Sequence, residues 1–323
     1  MEIRQKGYVS MLKLKPAYKD YIWGGQKLRT DFNKISDLTV LAESWELSCH
    51  KDGESVIIGG EYDGLTFSEY TDRAGKSVLG TACEKFREFP VLIKLIDAAD
   101  NLSVQVHPND EYARNNEGEH GKTEMWYIVD CEEGATIAYG FNREISRKEF
   151  EKAIRTNTLT DVMNIVPVKK GDVFFIEGGI LHSIGKGIVI AEIQQNSNTT
   201  YRVYDYGRLG ADGNPRPLHI EKALEVTKLT PPEEYPVYAE EVYGGYTARL
   251  LSSCGYFTVE ELVATEGVSI DGSDSTFRHL LIIDGDGNAD GEPFAKGDSL
   301  FFAAGEDINL EGRFTAIETY ISE

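Results

Sequence analysis

The sequence predicts a mainly β protein made of two copies of one β-barrel unit, with a few short helices. Most apolar residues fall in short runs separated by glycine and polar clusters, a pattern typical of strands and turns. One stretch also occurs twice: residues 168–179 read VKKGDVFFIEGG and residues 294–305 read FAKGDSLFFAAG. Each copy has a Lys-Gly-Asp turn, an aromatic strand and a glycine, which indicates that the unit is duplicated.

The length and composition are those of a soluble globular protein. The chain has 323 residues, of which 41% are hydrophobic and 27% charged, enough for one large domain or two to three modest ones. No apolar run approaches the roughly 20 residues of a membrane span, and the N-terminus lacks the apolar core of a signal peptide. We therefore expect no membrane partner, and we expect residues 1–10, before Met11, to be a short extension outside the fold.

Charge and cysteine content narrow the partners and the compartment. The net charge of −21 excludes nucleic acid as a partner, because phosphate backbones need a basic surface. It leaves room for a small anionic ligand, since a few lysines and arginines can reverse the sign inside a cleft. The four cysteines are scattered without a CxxC pair, which predicts reduced thiols and a cytoplasmic location.

The N-terminal part of the chain is predicted to be strands followed by surface helices. Residues 11–60 hold short apolar runs broken by glycine, as in strands and turns. Residues 65–87 contain FSEYTDRAG and SVLGTACEKF, which we expect to form two short polar helices on the surface. Residues 89–98, FPVLIKLIDA, form one continuous apolar run, which predicts a strand buried on both faces.

The second half of the chain contains two further helices and a linker. Ser146 and Glu149 fit a capping box that opens a helix, with a shorter helix after it, ending near residue 162. Residues 219–226, HIEKALEV, predict another short helix, and the proline-rich TPPEEYPVY after it predicts a linker. Beyond the linker we expect only strands, so we divide the chain into domains 1–230 and 231–323.

Four side chains are candidate ligands of a divalent metal. In NLSVQVHP, residues 101–108, the alternation of a strand places Gln105 and His107 on one face. Glu124 follows in GKTEMWYIV, and His182 lies in GDVFFIEGGILHSI. Two imidazoles, a carboxylate and an amide oxygen suit Zn²⁺, with manganese, iron and cobalt as alternatives.

The duplicated stretch assigns the metal to the first copy. Eleven residues after Gly171 the chain has His182, whereas eleven residues after Gly297 it has Ile308. A lone histidine in a strand is more often an ordinary hydrogen-bonded residue than a ligand. We expect this of the remaining histidines, which are His50, His120, His219 and His279.

The segment that contains His182 resembles a known motif. From Gly171 the sequence is G-x5-E-G-G-x2-H, similar to the second motif of the cupin superfamily, with Glu177 in place of its proline. The first motif is only partly present, because its His-x-His becomes Gln105-x-His107. The resemblance implies that the repeated unit is a cupin jelly-roll barrel, and that the second copy is a degenerate one.

A larger set of stretches resembles type I phosphomannose isomerase in its short bacterial form. They include KPAYKDYIWGG, ESWELS, LSVQVHPND, GKTEMWYIV and EIQQNSNTTYRVYDYGR. That family is a cupin zinc enzyme that interconverts mannose 6-phosphate and fructose 6-phosphate. The resemblance implies a catalytic domain in residues 1–230, a sugar-phosphate substrate and one Zn²⁺ per chain, held by Gln105, His107, Glu124 and His182.

The same resemblance implies roles for six further residues. Moving a proton between two sugar carbons through an enediol needs charge stabilisation on oxygen and a positioned base. The family's catalytic positions fall on Arg202, Lys122 and Glu192, and its substrate-binding positions on Lys94, Ser103 and Arg208. Arg208 stands where the family has a lysine, so a planar fork replaces a point charge.

Because the chain departs from the family pattern at two positions, the residue that acts as the catalytic base is not assigned. Longer family members have an aspartate where this chain has Asn198 and a histidine where it has Gly121. The candidates for proton transfer are therefore His120, Asp205, Lys122 and Glu192, in no firm order.

Two alternatives to a zinc-dependent aldose-ketose isomerase remain. A cupin dioxygenase is disfavoured, because Gln105 would occupy a position that iron oxygenases keep open. A non-catalytic, metal-containing cupin that binds sugar phosphates is disfavoured, because a scaffold would not need Lys122, Arg202 and the phosphate-site cations together.

Overall fold

The structure is a computed structural model that describes residues 11–210 and 213–323, so the predicted extension at residues 1–10 lies outside the described residues. Strands dominate it. The N-terminal ones are β1 (Met11–Lys15), β2 (Ala17–Lys19), β3 (Glu43–Leu47), β4 (Cys49–His50), β5 (Gly53–Glu54) and β6 (Val56–Ile58). The central ones are β7 (Val91–Ala98), β8 (Val104–Val106), β9 (Glu124–Cys131), β10 (Thr136–Phe141), β11 (Met163–Pro167), β12 (Val173–Ile176), β13 (His182–Ile184), β14 (Ile188–Gln195) and β15 (Tyr201–Tyr204). The C-terminal ones are β16 (Glu240–Val242), β17 (Tyr246–Ser253), β18 (Thr258–Ala264), β19 (Gly267–Ile270), β20 (Arg278–Ala289), β21 (Glu292–Ala295), β22 (Ser299–Phe302) and β23 (Ile308–Tyr320).

The helices are few and short, as predicted. They are α1 (Lys27–Thr30), α2 (Phe67–Ala74), α3 (Asp110–Asn116), α4 (Arg147–Arg155) and α5 (Ile220–Val226), with 3₁₀ turns at Lys76–Leu79, Thr81–Cys83 and Leu159–Asp161. None of the helices in the described part of the chain has the length and apolar character needed to cross a membrane. The mainly β fold class is confirmed.

The first copy of the unit consists of two facing antiparallel sheets. One has six strands in the order β12-β9-β14-β7-β3-β2, and the other has five in the order β11-β10-β13-β8-β15. Trp126, Ile128 and Ile190 of the six-stranded sheet pack against Ile137 and Ile184 of the five-stranded sheet. As far as the described residues show, the strands form open sheets that enclose this core, and they do not close into one barrel.

The second copy shares its main sheet with the N-terminus. The path of this ten-stranded sheet is β16-β17-β18-β23-β20-β22-β1-β6, with β19 paired to β23 and β21 paired to β20. Met11 of β1 lies opposite Phe302 of β22, and both join one apolar core with Leu280 and Leu300. The earliest described strand therefore belongs to the sheet of the C-terminal half, and the division at residue 230 stays a prediction.

A third core joins the two copies. Val91, Ile93 and Leu95 of β7 pack in one cluster with Phe277 and Phe301 of the second copy. The alternate residue Ile96 belongs instead to the core inside the first copy. Every residue of β7 is buried, which confirms the prediction of a strand covered on both faces.

The repeated stretches have the same backbone hydrogen bonds. Gly171 and Gly297 have φ angles of +89° and +95°, in the left-handed region that favours glycine. The Gly171 N–H donates to Ile128 O at 2.9 Å, and the Gly297 N–H donates to Ile282 O at 2.8 Å. After each turn comes a four-residue strand, and the next strand begins at His182 in one copy and Ile308 in the other. The duplication is therefore real in three dimensions.

The helices of residues 65–87 differ from the prediction. Thr66 caps α2 through a full capping box with Glu69, but the second segment is only two 3₁₀ turns. Gly75 and Gly80 take φ angles of +90° and +83°, which interrupt a continuous helix. The segment is also not a surface layer, because Phe67 and Leu79 are buried in the core between the two copies.

Candidate metal centre and active site

The six-stranded sheet carries a row of charged side chains on the face that looks into the first copy. Lys94 lies two residues before Ile96, and Glu192 lies two residues after Ile190, so both share the face of those core residues. The register places Glu192 directly opposite Lys94. Glu124 opens the neighbouring strand β9, two residues before Trp126. The charged residues are thus cross-strand neighbours at one end of an apolar face.

The five-stranded sheet carries the facing row. Gln105 of β8 pairs with His182 of β13 on one side and with Arg202 of β15 on the other. Strand pairing alone therefore places an imidazole, an amide and a guanidinium side by side. The apolar partners of these strands, among them Val104 and Leu181, pack on the outer face against α4 and α5.

Two glycines bring the histidine-bearing segments together. The Gly179 N–H donates to His107 O at 2.8 Å. A side chain at Gly178 would meet Asn109 N at 2.9 Å and Pro108 O at 3.0 Å, so only glycine fits there. The backbone after His107 can therefore lie directly against the turn that leads into His182.

His107, Glu124 and His182 form a buried cluster in which the possible ligand atoms lie within 4.8 Å of one another. His182 Nε2 is 3.4 Å from Glu124 Oε1, and His107 Nε2 is 3.6 Å from Glu124 Oε2. Gln105 Nε2 lies 3.4 Å from His182 Nε2, so the Gln105 amide borders the cluster. The structure thus brings together all four predicted ligands, three of them in one compact group.

Both imidazoles are held with Nε2 towards the carboxylate. His107 Nδ1 lies 2.9 Å from Thr199 O, and His182 Nδ1 lies 2.9 Å from Ile180 O, so each Nδ1–H has a carbonyl acceptor. Burial, then the charge of Lys122, holds the pKa of His107 well below its usual value, and burial lowers the pKa of His182 to about 4. Both rings are therefore neutral at neutral pH with a lone pair on Nε2, the form that binds metal.

Glu124 has the features of a carboxylate that needs a cation. Its side chain is fully buried, and Oε1 has no hydrogen-bond donor among the described residues. Burial, then the charge of Glu192, raises the pKa of Glu124 to about 7, against the opposing effect of Lys122. Oε1 faces the neutral His182 ring without a donor, and Oε2 lies near the neutral His107 ring and accepts from Lys122, so the residues fit a divalent metal.

Two lysines and two glutamates surround this cluster. Lys122 Nζ lies 2.5 Å from Glu124 Oε2, and Glu192 Oε1 faces both Lys94 Nζ at 3.3 Å and Lys122 Nζ at 3.5 Å. Lys94 Nζ also lies 3.7 Å from Glu43 Oε2. Burial alone would raise the pKa of Glu192, but Lys122 and Lys94 outweigh it, so this pKa lies well below its usual value. Glu192 is therefore an anion between two ammonium groups.

A cavity of about 280 Å³ opens above these charges. This is near the lower end for ligand pockets, which start at roughly 300 Å³, and it suits one small polar molecule. Six of the ten predicted site residues line it, namely Lys94, Ser103, Gln105, Lys122, Glu192 and Arg202. His107, Glu124 and His182 are buried and are not among the lining residues.

The tenth predicted residue, Arg208, is placed elsewhere. It is not among the lining residues; its guanidinium donates to Asp205 Oδ1 at 2.7 Å and to Asn101 O. Arg202 lines the cavity and donates to Pro217 O at 3.2 Å, while its Nε is buried without an acceptor among the described residues. The role of each arginine stays a prediction.

Several lining residues were not predicted from the sequence, among them Glu43, Arg216 and His219. Arg216 and His219 lie after β15, in the segment that leads into α5. His219 was expected to be an ordinary residue, but its ring lines the cavity and its Nδ1 accepts the Arg202 N–H at 3.1 Å. The pattern RPLH directly before a helix was the only available signal, and it has no strand periodicity.

The structure shows what surrounds Gly121 and Asn198, the two departures from the pattern of the longer family members. A side chain at Gly121 would meet Asn109 C and Asp110 N at 2.5 Å, so the backbone leaves no room for one. Asn198 lines the cavity and donates to Asp52 Oδ2 at 2.9 Å. His120 lines a different groove, where its Nε2 is 3.8 Å from Glu88 Oε2.

The fold and the site together define a metal-binding cupin with a small charged cavity. Comparison with known proteins makes this more specific. Residues 11–140 match the sequence profile of the phosphomannose isomerase type I catalytic domain. The chain is 38% identical over 317 residues to mannose-6-phosphate isomerase ManA of Bacillus subtilis, covering 96% of this chain and 98% of that protein. The chain belongs to the type I phosphomannose isomerase family.

Other relatives and solved structures agree. The mannose-6-phosphate isomerase of Streptococcus mutans is 41% identical over 74% of both chains. The crystal structure of mannose 6-phosphate isomerase from Bacillus subtilis has a TM-score of 0.90 and 34% identity, and covers 96% of this chain and 99% of its own. A zinc-bound mannose 6-phosphate isomerase structure has a TM-score of 0.77 at 18% identity, which shows the fold alone.

Proposed function

We propose that this chain is a zinc-dependent aldose-ketose isomerase that interconverts mannose 6-phosphate and fructose 6-phosphate. The single observation that supports this best is the His107–Glu124–His182 cluster, with an unpartnered buried carboxylate oxygen, next to a cavity that contains both cations and carboxylates. The names of relatives covering nearly the whole chain support the substrate.

His107, Glu124 and His182 would hold the metal, with Gln105 as the fourth ligand. When bound, a divalent cation polarises the sugar oxygens and stabilises negative charge on them. Neutral imidazoles and a carboxylate suit Zn²⁺, whose usual coordination is tetrahedral with nitrogen and oxygen ligands among the accepted sets.

The chain's own residues would position the substrate and stabilise its charge. Arg202 lines the cavity beside Gln105, so its positive charge would stabilise negative charge on the enediol oxygens. Lys94 and Ser103 line the same cavity and are the proposed substrate contacts. The side chains are held by buried strands, which keeps their geometry fixed.

Proton transfer between the two carbons needs a base within the cavity. Lys122 and Glu192 both line it, and their charged groups are 3.5 Å apart. His120 lies in another groove, and Asp205 is held by two arginines, so these earlier candidates are set aside. Lys122 and Glu192 are the proposed pair that carries the proton.

The alternative of a non-catalytic sugar-phosphate-binding cupin makes a different use of the same cavity. A binding protein needs cations for the phosphate, but it does not need a buried Lys–Glu–Lys arrangement beside the metal ligands. That arrangement costs desolvation of four charged groups with Glu124 included, which a binding role would not justify. We therefore favour the enzyme.

A coupled assay tests the proposal. Wild-type protein should convert mannose 6-phosphate to fructose 6-phosphate, lose activity with a chelator and regain it with added Zn²⁺. Absence of turnover in protein that binds one metal per chain and also binds mannose 6-phosphate would contradict the isomerase and support the binding protein.

We also propose that the reaction takes place in the cytoplasm. The four cysteines, Cys49, Cys83, Cys131 and Cys254, are all free thiols in the structure. Free thiols are typical of reducing compartments. Fractionation of the native cells would test this, and recovery outside the cytoplasmic fraction would contradict it.

A further inference from the structure

The wall of the cavity formed by Arg202 and Arg216 has an excess of positive charge. Three guanidinium groups, those of Arg202, Arg208 and Arg216, lie around one buried carboxylate, Asp205. Arg216 donates from Nε to Asp205 Oδ2 at 2.7 Å and from its NH2 group to Oδ1, and Arg208 donates to Oδ1 at 2.7 Å. The other carboxylate near them, Asp100, is more than half exposed and 3.5 Å from Arg208.

On the opposite wall of the cavity, positive and negative charges balance. Lys94 faces both Glu43 and Glu192, and Lys122 faces Glu124 and Glu192. A dianion placed there would meet the two glutamates that line the cavity, Glu43 and Glu192, and like charges at short range repel strongly in a buried site. The arginine wall is therefore the side of the cavity on which a doubly charged group is stabilised.

Arg202 supplies an independent sign that an acceptor belongs here. No carboxylate lies within 4.0 Å of its guanidinium in the part of the chain that the structure describes, and its buried Nε has no acceptor there. A phosphate monoester carries close to two negative charges at neutral pH and accepts several hydrogen bonds. It would satisfy this donor and balance the two surplus guanidinium charges.

We propose that Arg216, together with Arg202, binds the phosphate group of the substrate, and that Asp205 and Arg208 are positioning residues for Arg216. The inference rests on the proposed function for the identity of the substrate. Asp205 accepts two hydrogen bonds from the Nε edge of Arg216 and so fixes the plane of the guanidinium that lines the cavity. Arg208 holds Asp205 from the other side and stays outside the cavity, which explains why an arginine serves where the family has a lysine.

The test compares Arg216→Ala and Arg216→Lys with wild-type holoenzyme, with Arg143→Ala as the matched control, since Arg143 forms an exposed ion pair with Glu149. We expect kcat/KM for mannose 6-phosphate to fall about 100-fold in Arg216→Ala and to recover partly in Arg216→Lys, because charge returns without the fork. With D-mannose, which lacks the phosphate, kcat/KM should change by no more than about twofold.

Titration calorimetry with inorganic phosphate as the probe measures the affinity of the site without turnover. Wild type and Arg143→Ala should bind phosphate equally, Arg216→Ala at least about tenfold more weakly, and Asp205→Asn in between. Unchanged phosphate affinity in folded Arg216→Ala, or an equal loss with mannose and mannose 6-phosphate, would overturn the inference. If wild type binds phosphate through Arg216 but does not isomerise mannose 6-phosphate, the proposed function fails and the phosphate site stands.

Discussion

The two copies of the repeated unit carry different charged side chains at corresponding strand positions. By strand register, Glu124 of β9 corresponds to Arg278 of β20, because each lies opposite the last residue of the strand after the Lys-Gly-Asp turn. In the same way Glu192 corresponds to Glu318. Glu192 lies opposite Trp126, two residues after Glu124, and Glu318 lies opposite Leu280, two residues after Arg278. Each copy thus has a buried glutamate at this second position.

The difference is how this glutamate is neutralised. In the second copy Arg278 binds Glu318 directly, and Ile308 stands where the first copy has His182. In the first copy Glu192 is neutralised by two lysines from other positions, which leaves Glu124 to face two imidazoles. One copy therefore has a cluster suited to a metal, and the other has an internal ion pair at the corresponding strands.

The largest effect should come from the metal ligands. His182→Ala should strip the metal and lower turnover about 10³-fold, because a bound metal contributes several kcal/mol of charge stabilisation. Ile308→Val, at the corresponding position of the second copy, should leave metal content and turnover unchanged. Metal analysis and the coupled assay check both. Full turnover by metal-free His182→Ala protein would refute the assignment of the site.

Arg202 tests the arginine wall of the first copy. Arg202→Ala should lower turnover about 10²- to 10³-fold while leaving metal content intact, because it removes a cation that would stabilise the enediol oxygens and also contact the phosphate. Steady-state kinetics and metal analysis on the same sample measure this. Loss of metal together with activity would show that Arg202 is structural.

The second copy should respond in stability alone. Arg278→Ala leaves Glu318 buried without its partner, which should lower the free energy of unfolding by about 3 kcal/mol. Turnover and metal content, measured well below the melting temperature, should not change. Denaturant unfolding checks the first point, and a loss of bound metal would contradict the separation of the two copies.

A smaller, pH-dependent effect should come from His279. Burial lowers the pKa of His279 to about 3, so below pH 6.5 the unfolded chain binds a proton that the folded protein does not. Wild type should therefore lose stability relative to His279→Gln by about 1.4 kcal/mol per pH unit as the pH falls from 6.5. Unfolding of both proteins at pH 7, 6 and 5 measures this, and parallel pH curves would contradict it.

At the metal site of metal-free protein, the two histidines together should give a pH dependence no steeper than that of His279 alone. In metal-free protein the lowered pKa values of His107 and His182 cost stability as the pH falls, but the raised pKa of Glu124 acts in the opposite direction. Between about pH 6.5 and 4.5 the stability that Glu124 gains therefore offsets the stability lost through one of the two histidines.

Much of the site could be predicted because strand geometry determines it. Strand alternation placed Gln105 beside His107, and the cupin-like turn pointed to His182, whereas Arg202 was predicted only through the family resemblance; in the structure Gln105 pairs with both His182 and Arg202. Lys94 and Glu192 were likewise predicted through the resemblance, and the register of two long buried strands places them opposite each other.

The rest depends on contacts that no local pattern encodes. Arg216 and His219 reach the cavity from an irregular segment, where residue spacing does not predict direction. The pairing of β1 with β22 joins residues separated by most of the chain, so the two copies share a sheet that the proposed domain boundary would not suggest. Helix α3 was missed, although Asn109 caps it and Asp110 and Glu111 begin it.

The most direct test of the central claim is anomalous diffraction at the zinc edge on crystals of the active, zinc-loaded enzyme. We expect one metal per chain, about 2.0–2.2 Å from His107 Nε2, His182 Nε2 and a Glu124 oxygen. A metal bound in the second copy, or a fully active crystal without metal between these three residues, would contradict it.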